Sequence, residues 1–152
     1  MMRICLGLVA LTVMTSTALA ADMITATPKS LAWGEAPDAF PKGGKIAVLA
    51  GDPTKSGPFV LRFKAPNGYK FAAHNHPTTE NVTVISGTFH IAAGDKLDLH
   101  KSTALKTGSF LLMPAKMNHY GWATTPTILQ IEAEGPFAIT YVNPADDPRT
   151  KK

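Results

Sequence analysis

The sequence predicts a single all-β domain, and three features of the chain support this. Its 152 residues fit the usual size of one domain. Hydrophobic residues make up 45% of the chain and charged residues 17%, which is typical of a globular protein. The 12 glycines and 12 prolines separate short apolar runs, a pattern that favours strands and turns over long helices. Strands spaced this closely predict an antiparallel sandwich or barrel.

Residues 1–20 have the three parts of a secretory signal peptide. Arg3 supplies the positive charge, an apolar run follows at residues 4–13, and residues 18–20 (Ala-Leu-Ala) form a small-x-small cleavage site. The apolar run is shorter than the roughly 20 residues that a membrane span needs. We therefore expect cleavage after Ala20 and a periplasmic or secreted protein without a stable membrane anchor. Because Cys5 is the only cysteine, the mature chain would have no thiol.

The rest of the chain is predicted to contain an N-terminal arm at residues 21–44, a barrel at residues 45–142 and a polar C-terminal tail at residues 143–152. Trp33 is the expected packing anchor of the arm. One stretch, Lys96–Leu105, is predicted to be helical. Nine runs are predicted to be strands: Ile46–Ala50, Phe59–Lys64, Tyr69–Ala73, Val82–Ser86, Phe89–Ala92, Phe110–Met113, Tyr120–Ala123, Ile128–Ala133 and Phe137–Val142.

Charge and cysteine content exclude several classes of function. The formal net charge is +4, and the 15 basic residues are scattered along the chain, which does not favour nucleic-acid binding. A single cysteine excludes a disulfide framework, a zinc site built from several cysteines and an iron–sulfur cluster.

Four residues have the chemistry of metal ligands. His74 and His76 are two apart, so on a strand both point to the same face. Glu80 can add a carboxylate oxygen across the intervening turn, and His119 can add a third imidazole from a distant strand. Three imidazoles and a carboxylate suit one divalent transition metal, which could be Fe, Mn, Ni, Cu or Zn. An octahedral metal with these four ligands keeps two positions open for water, oxygen or substrate.

The spacing of these residues resembles the two motifs of the cupin superfamily. Gly68-x5-His74-x-His76-x3-Glu80-x6-Gly87 matches the first motif, and Gly108-x5-Pro114-x4-His119 matches the spine of the second. The resemblance extends from about residue 44 to residue 142, and it is greatest to small secreted single-domain cupins, or monocupins, of unassigned activity. It implies a cupin-type antiparallel jelly-roll β-barrel. It also implies a homodimer, in which the arm would be exchanged between subunits.

Two positions depart from the second motif. Lys116 stands where the motif usually has glycine, which predicts a different turn or a strained backbone. Ala123 stands where the motif usually has asparagine. Neither departure removes a ligand.

The resemblance leaves the function open between two classes. One is a metal-dependent enzyme on a small organic molecule, with oxygen-dependent cleavage (a dioxygenase-like oxidoreductase), isomerisation or lyase chemistry as the reaction. The other is a non-catalytic protein that binds or senses a metal or a small molecule. The residues expected around the ligands are apolar, which keeps the binding alternative open: Ala72, Val82, Val84, Met113 and Met117.

Other polar residues are predicted to have structural roles. His90 could carry protons, but a structural hydrogen bond is the favoured interpretation. Glu132 shares a strand face with Gln130 and Glu134 and is expected to face solvent, although a general-base role would need it to face the metal. Lys116 could attract an anionic substrate at the cavity rim, but a solvated loop lysine is favoured.

Overall fold

The computed structural model describes residues 22–151, and the predicted signal peptide lies outside this range. The described residues form eleven strands and two short 3₁₀ helices. The strands are β1 (Gly34–Glu35), β2 (Lys45–Ala50), β3 (Gly57–Ala65), β4 (Lys70–Asn75), β5 (Glu80–Ser86), β6 (Thr88–Ala93), β7 (Thr103–Lys106), β8 (Phe110–Met113), β9 (His119–Ala123), β10 (Thr127–Gly135) and β11 (Thr140–Tyr141). The 3₁₀ helices are Pro144–Asp146 and Pro148–Thr150.

The strands form two antiparallel sheets that face each other as a jelly-roll barrel. One sheet has the order β1-β2-β3-β10-β5-β8, and the other has the order β11-β4-β9-β6-β7. Every neighbouring pair is antiparallel. The prediction of an antiparallel all-β barrel is therefore confirmed.

Each predicted strand run contains a strand, but the predicted helix is wrong. Lys96–Leu105 contains no helix, and its last residues belong to β7, which pairs with β6. The Asp98 side chain accepts a hydrogen bond from the His100 backbone N–H at 2.9 Å and forms a local turn instead. Such a turn competes with the backbone hydrogen bonds that a helix needs. The two-residue strand β1, which lies in the arm, was also not predicted.

Alternation along the strands places the core between the two sheets. Phe59, Leu61 and Phe63 on β3 are buried, whereas Arg62 and Lys64 face outward. Glu80, Val82 and Val84 alternate in the same way on β5. Full burial of each large apolar side chain contributes about 1.5–3 kcal/mol, so this core is the main stabilising contribution.

An irregularity in β4 positions the predicted ligands. The pairing of β4 with β9 shifts register between Phe71 and His74. As a result Phe71 and His74 both lie on the barrel side although they are three residues apart. Ala73 packs instead in a second apolar cluster with Tyr120 and Trp122, apart from the main core. Beyond the shift, His74 and His76 resume the two-residue period and enter the barrel together.

The described part of the arm packs on the barrel of its own chain. The Phe40 ring lies 5.1 Å from the Phe63 ring and 6.4 Å from the Phe71 ring, measured between centroids. Trp33 is half-buried, and the Lys64 ammonium lies 4.4 Å from its ring centroid, which fits its expected role as an anchor. In residues 22–151 no helix is long and apolar enough to cross a bilayer.

Two glycines of the first motif differ in what surrounds them, which gives a test of the fold. Both Gly68 and Gly87 have positive φ, at 80° and 90°. A Cβ at Gly68 would meet open space, whereas a Cβ at Gly87 would lie 2.5 Å from the Pro126 carbonyl oxygen. We expect Gly68→Ala to lower the free energy of unfolding by about 1–2 kcal/mol, the cost of a left-handed alanine. Gly87→Ala should cost clearly more in urea denaturation, and equal losses would contradict the described β5–β6 turn.

Candidate metal centre

Three imidazoles converge inside the barrel. His74 ends the inward face of β4, His76 follows that strand, and His119 begins β9. The His74 ring lies 4.3 Å from the His119 ring and 4.9 Å from the His76 ring, and the His76 and His119 rings are 5.3 Å apart. Each side chain is about 5% exposed or less. One nitrogen from each ring lies within 4.8 Å of the other two, so the triad could hold a metal.

Backbone carbonyl groups fix the orientation of all three rings. His74 Nδ1 lies 2.7 Å from the Ala72 oxygen, and His119 Nδ1 lies 2.9 Å from the Met117 oxygen. His76 Nδ1 lies 2.8 Å from the oxygen of Ala138, far along the chain. A carbonyl oxygen only accepts hydrogen bonds, so each Nδ1 carries the hydrogen and donates it. The lone pair of each ring is therefore on Nε2, which is the arrangement of a metal-binding histidine.

Glu80 lies beside two of the three histidines. It is 4% exposed, and its Oε2 lies 3.5 Å from His76 Nε2 and 3.8 Å from His119 Nε2. Neighbouring ligands of one metal, each about 2.1 Å from it, are roughly 3 Å apart, so a small contraction would bring these atoms into ligand positions. The structure thus brings the three predicted histidines together as a group that could hold a metal, with Glu80 beside two of them, and Glu80 as a fourth ligand stays a prediction.

Burial favours the uncharged form of every group in the site. It lowers the pKa of His74 to about 3, with a smaller contribution from the neighbouring His119 and His76. It also lowers the pKa of His76 to about 4 and lowers that of His119. Burial raises the pKa of Glu80 to about 8. The close approach of His76 and Glu80 is therefore a contact between neutral groups, not an ion pair. A divalent cation would reverse this preference for Glu80.

The four residues line a small and otherwise apolar cavity of about 30 Å³. That volume holds about one or two water molecules. Val82 and Met113 line it as predicted, whereas Ala72, Val84 and Met117 are not among its lining residues. The other lining residues are Phe40, Phe71, Phe89, Ile91, Gly121, Leu129, Ile131 and Phe137.

None of the four phenylalanines of this wall was predicted as part of the site, and two of them come from irregular segments. Phe137 stacks on the His76 ring, with centroids 4.5 Å apart and planes 19° from parallel. Phe40 comes from the arm. Both lie outside the strands of the structure and outside the motif spacings, although Phe137 was predicted to begin a strand that in the structure starts only at Thr140. The only hint was an aromatic residue within a stretch rich in proline and glycine.

The remaining candidate residues lie away from the cavity. His90 stacks on Trp122 at 5.0 Å, and its Nδ1 lies 3.0 Å from the Ser102 hydroxyl, so the structural interpretation is supported. Glu132 is exposed and accepts a hydrogen bond from Gln130 at 3.0 Å, which leaves no geometry for a general base at the metal. Tyr120 donates to the Lys101 carbonyl oxygen at 3.1 Å and points to the outer cluster.

The two departures from the second motif have different consequences. Lys116 adopts φ 62°, and its N–H donates to the His76 carbonyl oxygen at 2.8 Å. The predicted strain is therefore present, in a turn that contacts a ligand residue, and the lysine side chain is exposed. Ala123 is fully buried, and its N–H donates to the Tyr69 carbonyl oxygen at 2.9 Å. It fills core space without disturbing the β4–β9 pairing.

A jelly-roll barrel that encloses a histidine triad defines a cupin. Residues 21–138 match the family model described as the ChrR cupin-like domain. This match covers most of the sequence, and the chain belongs to that family of cupins. No protein of curated function matches the sequence.

Solved structures share the same fold at low sequence identity. The polyketide cyclase RemF from Streptomyces resistomycificus matches with a TM-score of 0.68 and 15% identity, over 83% of this chain and 89% of that one. A putative acetylacetone dioxygenase from Methylibium petroleiphilum PM1 matches with a TM-score of 0.66 and 20% identity, over 89% and 90% of the two chains. An acetylacetone dioxygenase from Acinetobacter johnsonii matches with a TM-score of 0.65 and 15% identity, over 90% and 88%.

The strained turn at Lys116 can be relieved by substitution. Lys116→Gly removes the Cβ that disfavours a left-handed backbone, so the free energy of unfolding should rise by about 1 kcal/mol. Urea denaturation of the metal-free protein measures this change. Lys101→Gly, at another exposed turn lysine, is the comparison, since no positive φ is relieved there. A loss of stability in Lys116→Gly would contradict the described turn.

The buried site predicts an unusual pH dependence of stability for the metal-free protein. Histidines with pKa values below 6.5 bind protons more weakly when folded, so stability falls as the pH decreases below about 6.5. Glu80 binds its proton more tightly when folded, so stability falls as the pH rises from 4.5 towards about 8. Because three histidines oppose one carboxyl group, the free energy of unfolding is greatest near pH ~6.5. Between that pH and pH 8 it decreases by about 2 kcal/mol at most.

Urea denaturation across pH 4.5–8.5 measures this profile. Glu80→Gln should abolish the loss above pH ~6.5 and keep the loss below it, because the amide does not titrate in this range. A stability that increases steadily to pH 8 in the metal-free protein would contradict a protonated Glu80.

Proposed function

We propose that the protein is an exported, metal-dependent enzyme that acts on a small organic molecule. One observation carries the proposal, namely that three Nε2 atoms and the Glu80 carboxylate face one apolar cavity, with each ring fixed by a backbone carbonyl. Rigid ligands with fixed tautomers are what an open, reactive metal site requires.

His74, His76, Glu80 and His119 would hold the metal, which would be Fe, Mn, Ni, Cu or Zn. A metal bound there supplies Lewis-acid or redox chemistry toward a substrate oxygen, water or O₂. If all four residues held an octahedral metal, two positions would remain for water, oxygen or substrate, as a working site needs.

The chain's own groups would shape the reaction around that centre. The wall formed by Phe71, Phe89 and Phe137 excludes bulk water, which strengthens electrostatic interactions inside the cavity. Glu80, whose pKa is raised to about 8 by burial, has the properties of a group that can take and return a proton if it leaves the metal. Phe137 holds the His76 ring from one face and restricts its rotation.

Oxygen-dependent cleavage is the first reaction to test, because two similarly folded proteins bear the name acetylacetone dioxygenase. Isomerisation and lyase chemistry are the next candidates. A non-catalytic protein that binds or senses a metal or a small molecule is the second candidate function. The cavity volume of about 30 Å³ favours it, since the described conformation leaves no room for an organic substrate.

Export and assembly belong to the same proposal. We propose cleavage after Ala20, a periplasmic or extracellular location, and a homodimer that binds neither nucleic acid nor membrane. The mass of the mature polypeptide tests the cleavage after Ala20. The mass of the protein in solution tests the homodimer.

The metal site is tested by replacing one histidine inside the cavity and one outside it. His76→Ala should lower the metal content of purified protein at least ten-fold, because one of four ligands is lost and its neighbours stay buried. His90→Ala is the matched control, since its ring lies on the outer face and should leave metal content unchanged. Elemental analysis provides the measurement.

Oxygen consumption by both variants with β-diketone substrates then separates the two candidate functions. We expect consumption by the wild type and by His90→Ala, and none by His76→Ala. Equal rates in all three proteins would exclude oxygen-dependent catalysis on these substrates. Metal content that is equal in both variants would overturn the metal site itself.

A further inference from the structure

We propose that Phe40 is the gate of the cavity, and that substrates reach the site by displacing the short arm segment that carries it, residues 37–42. The proposal concerns access and substrate class, and it rests on the proposed function for the identity of the site. It goes beyond that function by naming the residue that selects what enters.

The narrowness of the cavity requires such a movement. Its volume of about 30 Å³ is enough for about one or two water molecules and no organic molecule. A wall residue must therefore move before any substrate contacts the ligands. Interiors are packed too tightly for a small general expansion to create that space.

Phe40 is shared by the cavity and a neighbouring cleft. It lines the narrow cavity together with the histidines, and it also lines a surface cleft of about 290 Å³. The cleft is otherwise formed by Asp38, Lys42, Pro148, Arg149 and Lys151. Movement of this one ring would therefore join the cleft to the metal site.

The arm segment is held by contacts that are easily broken and remade. The Tyr141 hydroxyl donates to the Ala39 carbonyl oxygen at 2.8 Å, and the Tyr69 hydroxyl donates to the Pro41 carbonyl oxygen. The Phe40 N–H donates within the arm itself, to the Pro37 carbonyl oxygen. Two side-chain hydrogen bonds and one half-buried ring thus hold the segment, and segments held by few contacts open at low free energy.

The competing route lies between β7 and β8. A surface groove of about 310 Å³ shares Ile91, Met113 and His119 with the cavity wall. Met113 is the wall residue on this side, but it belongs to β8 and pairs with Glu80 on β5. Moving β8 itself would break its pairing with β5 beside Glu80, whereas Phe40 lies outside every strand, so the geometry favours the arm.

The same wall indicates the class of substrate. Among the described residues that line the cavity, His74, His76, Glu80 and His119 are the ones with polar side chains. Inside the cavity a molecule would find polar partners at the metal end alone, whereas the charged side chains of the cleft lie outside it. The part of the substrate that reaches the metal is therefore small and largely apolar, with one or two oxygen atoms together at its metal end.

Ligand association with the Co²⁺-loaded full-length protein tests the gate through the visible absorption of the metal. Azide serves as the small probe and 4-nitrocatechol as the aromatic probe with two adjacent oxygens. We expect Phe40→Ala to raise the association rate of 4-nitrocatechol at least ten-fold and that of azide less than three-fold. Tyr141→Phe, which removes one tether without changing the cavity, should raise the 4-nitrocatechol rate about five-fold.

Met113→Ala is the matched control, because it also enlarges the cavity but lies on the groove side. The proposal is supported if this variant changes the 4-nitrocatechol rate by less than three-fold. It is overturned if Met113→Ala gives the larger acceleration, or if neither Phe40→Ala nor Tyr141→Phe changes the rate. Failure to bind Co²⁺ is a separate outcome: it overturns the proposed metal site, whereas normal Co²⁺ absorption with unaltered rates overturns the gate alone.

Discussion

Three hydrogen bonds from buried imidazoles to backbone carbonyl groups are the interactions on which the site depends. Each one fixes a ring's tautomer and its rotation in a single step, so that Nε2 faces the cavity. Two of the acceptors lie two residues before their histidine, and the third, Ala138, belongs to the segment before β11. The barrel must therefore close correctly before His76 is oriented. The orientation of the metal-donor nitrogens therefore depends on the fold of the barrel.

The barrel keeps these polar groups in surroundings that disfavour charge. Burial lowers the histidine pKa values and raises that of Glu80, so the metal-free centre is neutral at the cost of keeping a protonated carboxyl among apolar side chains. A cation that displaces this proton is attracted to a carboxylate whose charge is only weakly screened in the apolar cavity. The same burial would therefore favour the binding of a divalent ion that takes the place of this proton.

The sequence predicted the ligands better than it predicted their surroundings. The spacing of His74, His76 and Glu80 reflects local geometry on and just beyond two strands, so it can be recognised without tertiary information. The inward position of His74 three residues after Phe71 depends on a register shift that only pairing with β9 reveals. Phe40 and Phe137 reach the cavity from irregular segments, whose path depends on what they pack against. For the same reason, Lys96–Leu105 could not be distinguished from a helix until β7 paired with β6.

The carbonyl anchors have a consequence for how this centre tolerates change during evolution. Every residue type carries a carbonyl oxygen, so codon changes at Ala72, Met117 or Ala138 cannot delete the acceptors that hold the rings. Carboxylate anchors, which other metalloproteins use, are vulnerable to a single missense event. Here the acceptors that orient the three histidines belong to the backbone. Side chains around the site can therefore change, and substrate preference with them, while the histidines keep their orientation.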